Sequence, residues 1–525
     1  SDDREPDPVW LDAIEAQLAE HGAALSRGRA ALIDAMMAEI VIQPEAPFPR
    51  PALSYAPGGP EGFEALSQAL HDGRRRDRAA QRTLTGPHRD DVEVLYAAKR
   101  MPAAACSTGE QKALLLAMTL AHVALAAKGR ASLLLLDEVA AHLDPDRRIA
   151  LFDRETGTHR GEELIVLDKA KVRFTFDGFD TEPVLSINRG FTAPVGIERD
   201  IARADLAFLA AKDDDPFARY EALQDLVTGH LVEAVGGGLS DSARDEARGA
   251  IGDAFEAILN DATLDDQMRG ELLILPSQTY LAEQMLVADP GRIFEEREGL
   301  KAWLGRALAS NFDALYERAA AAPGGREAEA VGARKVKTLA LSYIAAADPD
   351  RAEMLATRQY DAADTMTDRQ GALMVLSGLE GLARTDRLAA FYERYRDNPL
   401  ALDKWFAIQA SSLHPNVVEQ VKALAEHPDF TLRNPNRVRS LYMAFAGTAQ
   451  GFHASSGEGY RMIADLILAL DPINPQTAAR FVPPLGRWQR MEPNRAALMK
   501  EKLERIAAAP KLSRDTYEQA TRSLG

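Results

Sequence analysis

A single cysteine, Cys106, occurs in 525 residues. No internal disulfide framework and no Cys-based zinc site can be built from it, which fits a reducing, cytoplasmic setting. Basic residues are outnumbered, 62 Lys and Arg against 79 Asp and Glu, for a net charge of -17. That balance argues against a generic nucleic-acid-coating or anionic-membrane surface while leaving room for a local basic patch. No apolar run approaches transmembrane length, so no membrane partner is expected. The opening Ser1-Asp2-Asp3-Arg4-Glu5 does not read as a signal peptide, and a start without Met is expected of a piece of a longer reading frame. Two catalytic strings are missing as well. There is no G-x-x-x-x-G-K-[ST] loop; Gly236-Gly237-Gly238 lacks the Lys and the flanking strand. Without that loop no backbone amides and no Lys hold the β- and γ-phosphates of a nucleotide. There is also no H-E-x-x-H, hence no pair of helical zinc ligands with a general base beside them.

What is present is most specific between Ser107 and Arg148. Ser107-Thr108-Gly109-Glu110-Gln111-Lys112 suits a helix start, with Ser or Thr as N-cap and Glu and Gln in the first turn. An apolar helix through Leu114, Leu115, Met118, Leu120 and Val123 follows, stopped by Lys128-Gly129. Leu133-Leu134-Leu135-Leu136 reads as a strand buried on both faces, delivering Asp137 and Glu138 at its C-terminal end. Phosphates and metals bind at that end of a parallel α/β sheet. An Asp there suits a water-mediated Mg²⁺ contact and an adjacent Glu can orient an attacking water; taken alone, such acids often simply end strands.

With AHLDPDRR just after it, the block resembles the ABC-type ATPase head of the RecF family of DNA repair proteins. The resemblance implies that Ser107, Thr108, Gly109, Glu110, Gln111 and Lys112 form the signature motif, which meets a nucleotide held in trans by an intact RecF-like subunit. It makes Asp137 the Mg²⁺-site carboxylate, effective only with a complete partner, and Glu138 the candidate water-activating base. His142, Leu143 and Asp144 would be the D-loop. ATP and Mg²⁺ are the implied cofactors and DNA, single-stranded DNA included, the implied partner of residues 1–152.

Upstream, Leu11, Ile14, Leu18, Leu25, Leu32 and Met36 predict a long helix with one apolar stripe, which in RecF-type heads would be the end of an inserted helical arm. Pro44, Pro47, Pro49 and Pro51 mark an extended passage. A helix from Phe63 to Leu70 leads into Arg74, Arg75, Arg76 and Arg78, the densest basic run, which is either a solvated helix face or a set of DNA-phosphate contacts. Gly86-Pro87-His88-Arg89-Asp90-Asp91 predicts a turn, and Val92, Val94 and Tyr96 a strand; His88 is assigned no chemistry. The D-loop is expected to run into a helix over Arg147–Phe152, after which the character of the chain changes.

Leu164–Leu167 and Val172–Phe176 are strand candidates, and Pro183–Val195 together with Asp153–Gly157 resembles the end of the small β-sandwich domain of bacterial aminopeptidase N, a gluzincin zinc peptidase. From 201 to 525 the chain reads as nearly continuous helix, punctuated by Asp289-Pro290-Gly291, Asp348-Pro349 and His427-Pro428, which suggests an armadillo-like superhelix. Leu275–Gln284, Lys404–Ala410, His427–Phe430, Asn434–Leu441, Gly459–Arg461 and Asn474–Gln476 resemble the C-terminal helical domain of the same family. The resemblance implies Zn²⁺ as cofactor and a catalytic peptidase domain as partner of residues 153–525, with the zinc ligands themselves absent here. His414, His427 and His453 read as packing or capping residues; Trp405, Phe406 and Trp488 read as core. Arg437, Arg439 and Arg487 either line a cavity or pair with acids, and Asp213-Asp214-Asp215-Pro216 reads as a solvated helix start.

The expected fold is multidomain and mainly α: a partial α/β ABC-ATPase head over 1–152, a short β-sandwich remnant over 153–200 and a large armadillo-like helical superhelix over 201–525. Three functions are compatible with these parts: an ATPase-like DNA repair fragment, a peptidase part that needs a missing catalytic domain, and a non-catalytic protein joined from two remnants by fusion, deletion or sequence-assembly error. The join is expected between Ile149 and Thr156, inside a helix and not in the kind of linker where functional fusions sit. No complete active site is expected. The first segment should be the less well packed, because its parallel sheet would have open edges.

Overall fold

A computed structural model describes residues 7–42, 50–80, 82–106, 108–127, 146–166, 173, 175–191, 197 and 199–525. The chain divides into two compact units, one made of Ser1–Asp146 with Val166–Val172 and one made of Arg147–Ile165 with Arg173–Gly525.

The first unit is built on α1 (Pro8–Ile42). Strands β1 (Pro51–Ala56), β2 (Asp91–Tyr96) and β3 (Met101–Pro102) form an antiparallel sheet in that order, with Leu53 opposite Val94 and Tyr55 opposite Val92. Helices α2 (Phe63–Ala80) and α3 (Thr108–Ala127) complete it. The helix expected at Leu11–Met36 is there, but its stripe is turned: Leu18, Leu25 and Leu32 are exposed, while Ala19, Gly22, Ala23, Ile33, Met36 and Ile40 are buried. Close packing explains the shift, since a Cβ on Gly22 would lie 3.1 Å from Leu66 Cδ2 and 3.3 Å from the Pro87 ring. Ile33, Met36 and Ile40 form a small core with Leu53 and Ala121. Every described strand pairing in this unit is antiparallel. The parallel sheet of an ATPase head is not seen among the described residues, and its expected central strand Leu133–Leu136 lies outside them.

The second unit opens on β4 (Asp146–Phe152), a strand where a helix was expected. It pairs antiparallel with β6 (Val184–Ile187), Ile149 opposite Ile187 and Phe152 opposite Val184, and lies between β6 and β5 (His159–Val166). Ala150 and Phe152 are buried in the core of the unit, so pairing and burial override the helical reading of the local sequence. The β4–β5 turn is held by the Asp153 carboxylate, which accepts from the backbone N–H of Glu155 and Thr156, and by Gly157 at φ +70°. Of the candidate strand Val172–Phe176, the described residues Arg173, Thr175 and Phe176 carry no strand.

The helices follow a simple rule. Asp215 caps α5 (Pro216–Gly236), Asp289 caps α9 (Pro290–Ala307) and Asp348 caps α12 (Pro349–Ala362), each with Pro at the first helical position; α4 (Arg203–Lys212) lies before them, and α6 (Asp241–Asn260), α7 (Asp266–Leu272), α8 (Gln278–Glu283), α10 (Ala309–Ala320), α11 (Ala328–Ala347) and α13 (Met366–Gly378) lie between and after them. Asn398-Pro399, Asn434-Pro435 and Asn474-Pro475 start later helices the same way. A capping oxygen satisfies orphan N–H groups and Pro costs no hydrogen bond there, so these dipeptides are helix starts. The seam Ala288–Met491 joins distant parts: Ala288 N–H donates to Arg490 O at 2.7 Å and Glu492 N–H to Ala288 O at 2.9 Å. No described helix is long and apolar enough to cross a membrane.

Candidate functional site

In the first unit, Ser107, Asp137, Glu138, His142, Leu143 and Asp144 lie outside the described residues. Thr108, Gly109, Glu110, Gln111 and Lys112 open α3. Gln111 Nε2 donates to Cys106 O at 3.0 Å, and Glu110 pairs with Lys99. These two side chains therefore secure the helix start to its own neighbourhood. Of the arginine run on α2, Arg74 is turned onto α1, its Nε 2.8 Å from Glu15 Oε1 and its Nη2 2.7 Å from Glu15 Oε2, with Asp12 as a second partner. Arg75, Arg76 and Arg78 are exposed. His88 Nε2 lies 2.8 Å from Thr83 O, a turn-holding contact. Asp90 beside it ties α1 to the β1–α2 loop, accepting from Arg29 at 3.0 Å, Ser26 at 3.1 Å and Gly58 N–H at 2.9 Å.

In the second unit the histidines hold the fold. His414 Nδ1 accepts from Asn416 N–H at 3.1 Å and His427 Nδ1 from Asp429 N–H at 3.2 Å, with the His427 ring against Trp405, Tyr392 and Phe406. Among the described residues no group of three His, Cys, Asp or Glu could hold a metal ion, so the residues present do not fit zinc. Trp405 and Phe406 are buried core, as expected, and Trp488 Nε1 donates to Ser523 O at 2.9 Å. Arg437 takes the structural role: Nε sits 2.6 Å from Asp403 Oδ1, and the guanidinium lies 4.8 Å from the Phe406 ring centroid. Arg439 reaches Asn436 on its own turn. Asp215 caps a helix as expected, but Asp213, expected to be solvated, is 1% exposed and paired with Arg189.

Arg487 does line a cavity, of about 400 Å³, together with Gln278, Thr279, His453, Arg480 and Met491. Burial, helped by Arg495 and Arg487, pushes His453 down to about 4, so its ring is neutral near pH 7. Burial pushes Tyr460 up, so it keeps its O–H, and its Oη lies 2.8 Å from His453 Nδ1. This is a place that can hold an anionic or carbonyl group through two arginines. A wider groove of about 1190 Å³ runs between α6, α7, α10 and α11, past Asp261, Asp265, Asp266, Arg318, Glu327 and Glu329. The sequence reading missed Arg480 and the whole groove. Their residues come from different helices, and only the acidic density of Asp261–Asp266 could have hinted at the groove.

Residues 203–525 match the family described as a domain of unknown function (DUF3458_C) with ARM repeats, and 147–200 match its Ig-like companion DUF3458. Aminopeptidase N of Caulobacter vibrioides is 37% identical over 370 residues, 70% of this chain and 42% of that protein. Aminopeptidase N of Escherichia coli is 32% identical over 389 residues, 72% of this chain and 44% of that protein. The crystal structure of Legionella pneumophila aminopeptidase A superposes with a TM-score of 0.63 at 29% identity, over 72% of this chain and 45% of that one. At the other end, RecF of Brucella abortus is 52% identical over 159 residues, 28% of this chain and 41% of that protein. The chain thus spans less than half the length of each of these relatives. Its capped helices, its three-stranded β piece and the match over residues 203–525 place the chain in the DUF3458_C ARM-repeat family, with the C-terminal domains of aminopeptidase N over residues 147–525 and a partial RecF-like similarity before them.

Proposed function

We propose that the chain is a fusion of two C-terminal pieces: a RecF-like ATPase segment and the non-catalytic sandwich and helical domains of an aminopeptidase N. One observation carries this reading. The unit boundary at Asp146 and Arg147 coincides with the start of the Ig-like match at 147. In support, Caulobacter vibrioides has the two kinds of relative as separate proteins. The join then sits at the first residue of β4, a few residues before the Ile149–Thr156 window read from sequence.

Residues 147–525 act as a wall that shapes and restricts access to the cavity of a peptidase catalytic domain supplied by another chain. Zinc chemistry belongs to that domain, since no described residues here fit the metal. The RecF-like segment would offer Thr108–Lys112 to nucleotide and Mg²⁺ held by an intact RecF-like subunit, with DNA phosphates meeting Arg75 and Arg76. The isolated chain hydrolyses neither peptide nor ATP.

Sequencing source DNA across codons 140–156 tests whether the junction is genomic; a break there removes the fusion. Aminoacyl-coumarin substrates with added Zn²⁺ should show no turnover, and turnover abolished by a chelator sinks the non-catalytic reading. Fluorescent ATP should not bind the isolated chain, and tight binding overturns the claim that the nucleotide is held in trans.

A further inference from the structure

The outer side of α1 is apolar where a solvated helix would be charged. Leu18, Leu25 and Leu32 stand seven residues apart and are 51%, 47% and 44% exposed. Ala24, Gly28 and Ala31, also exposed, fill the face between them, and Trp10 extends it toward the helix start. No Asp, Glu, Lys or Arg falls on this face between Gln17 and Ala38. The other side of the helix, through Ala19, Ala23, Ile33 and Met36, is already spent on the unit's own core. A seven-residue apolar repeat is the seam of a helix pair, and the small residues let a second helix approach closely.

The charges beside the face say which helix fits. One edge carries Glu20, Arg27 and Asp34, again seven residues apart, all exposed and without an ion pair among the described residues. The opposite edge carries Glu15 and Arg29, which are taken by Arg74 and Asp90. Two copies of α1 packed antiparallel bring the same edge of each together. With the two-fold axis between Ala23 and Ala24, Glu20 of each copy meets the partner's Arg27, and Asp34 meets the partner's Ala13. A parallel pair would instead set this edge against the opposite one, whose charges are already matched. The helix has 35 residues and is about 50 Å long. A face about 10 Å wide along it gives roughly 500 Å² from each chain, or about 1,000 Å² in all, the lower limit of a specific interface.

We infer that a second copy of this chain covers the leucine face of α1, forming a weak antiparallel homodimer locked by two Glu20–Arg27 pairs. The inference stands on α1 alone, so it holds or fails independently of the fusion reading.

Sedimentation equilibrium of the full chain from about 1 to about 100 µM tests it. The mass should move from 57.2 kDa toward twice that value, with a dissociation constant in about the micromolar range. Leu25 is exposed in the single chain, so Leu25→Glu should leave the circular dichroism spectrum unchanged and weaken the dimer by about tenfold or more. Glu20→Arg sets like charges opposite each other at both pairs and should weaken it by a similar factor, while Glu20→Arg with Arg27→Glu should restore it. A chain that stays at 57.2 kDa throughout overturns the proposal, even if an intact RecF-like subunit then captures the face. A dimer indifferent to Leu25→Glu places the contact elsewhere and overturns it too. So does a double variant as weak as Glu20→Arg alone, because the two charges then do not meet.

Discussion

Arg189 Nη1 lies 2.5 Å from Asp213 Oδ1, and this pair fastens the β piece of the second unit to the start of its helices. The guanidinium also stands 5.8 Å from the Phe152 ring centroid on β4. Asp213 accepts from Asp215 N–H at 2.9 Å, and Asp215 takes Gly190 N–H at 3.0 Å, so the turn after β6 and the cap of α5 are one hydrogen-bonded knot. Burial pushes the Asp213 carboxyl up even with Arg189 beside it. Arg189→Met strands that carboxylate in the interior and should cost about 3–5 kcal/mol in urea unfolding at pH 7. A loss below about 1 kcal/mol would show that the pair is solvated in practice.

Two histidines should make the helical unit acid-sensitive. His230 is held down to about 4 from 6.5, first by burial and then by Arg248, Arg244 and Arg203, which outweigh Glu296. A depressed histidine binds fewer protons folded than unfolded between those two values. Stability is therefore fully present above pH 6.5 and falls as pH drops toward 4. The loss through His230 at pH 4 is on the order of 3 kcal/mol, and His453 adds a second contribution of the same sign. His230→Gln should flatten the pH dependence of urea unfolding between 6.5 and 4. An unchanged slope would mean that His230 does not titrate in this window.

How far the sequence could be read depended on how local the governing interaction is. Asp289-Pro290 and Asp348-Pro349 are legible because a cap and its helix lie within four residues. The string Arg147–Phe152 is not, because its strand state is decided by pairing with Val184–Ile187 more than thirty residues on. The turned stripe of α1 is another such case: leucines at seven-residue steps look buried, but the close approach of α2 and Pro87 selects Ala19, Gly22 and Ala23. Among site residues, Arg437 and the histidines were legible as structural groups. Lys337, Gln359 and Asp368 meet only through the stacking of three helices, so no spacing announces them.

The seam between the start of α9 and the C-terminal helices should be cooperative with the α9 cap. Asp289 accepts from Gly291 N–H at 3.0 Å and Arg292 N–H at 3.2 Å, and receives Arg495 Nη1 at 3.1 Å. Asp289→Ala removes the cap and one of the two carboxylates on Arg495, leaving Glu492. A loss of about 1–2 kcal/mol is expected. Proteolysis at the adjoining Leu286–Val287, already exposed, should also quicken. A stability loss without faster cleavage would separate the cap from the seam.

Two glycines on α9 give a matched pair for measuring how tightly the superhelix is packed. A Cβ on Gly305 would run into the carbonyl oxygen of Tyr343 on α11 and sit 2.9 Å from Ala347 Cβ. A backbone oxygen cannot rotate away as a flexible side chain can, so α9 and α11 would have to separate. Gly305→Ala should therefore cost about 1–3 kcal/mol. Gly299, six residues earlier on the same helix, has nothing within 4 Å of its Cβ position. There Ala gains helix propensity without a clash, and Gly299→Ala should stabilise by about 0.5–1 kcal/mol. Chemical denaturation of the two variants beside the parent checks both signs at once. Equal effects at the two positions would mean that the α9–α11 contact is looser than these distances make it.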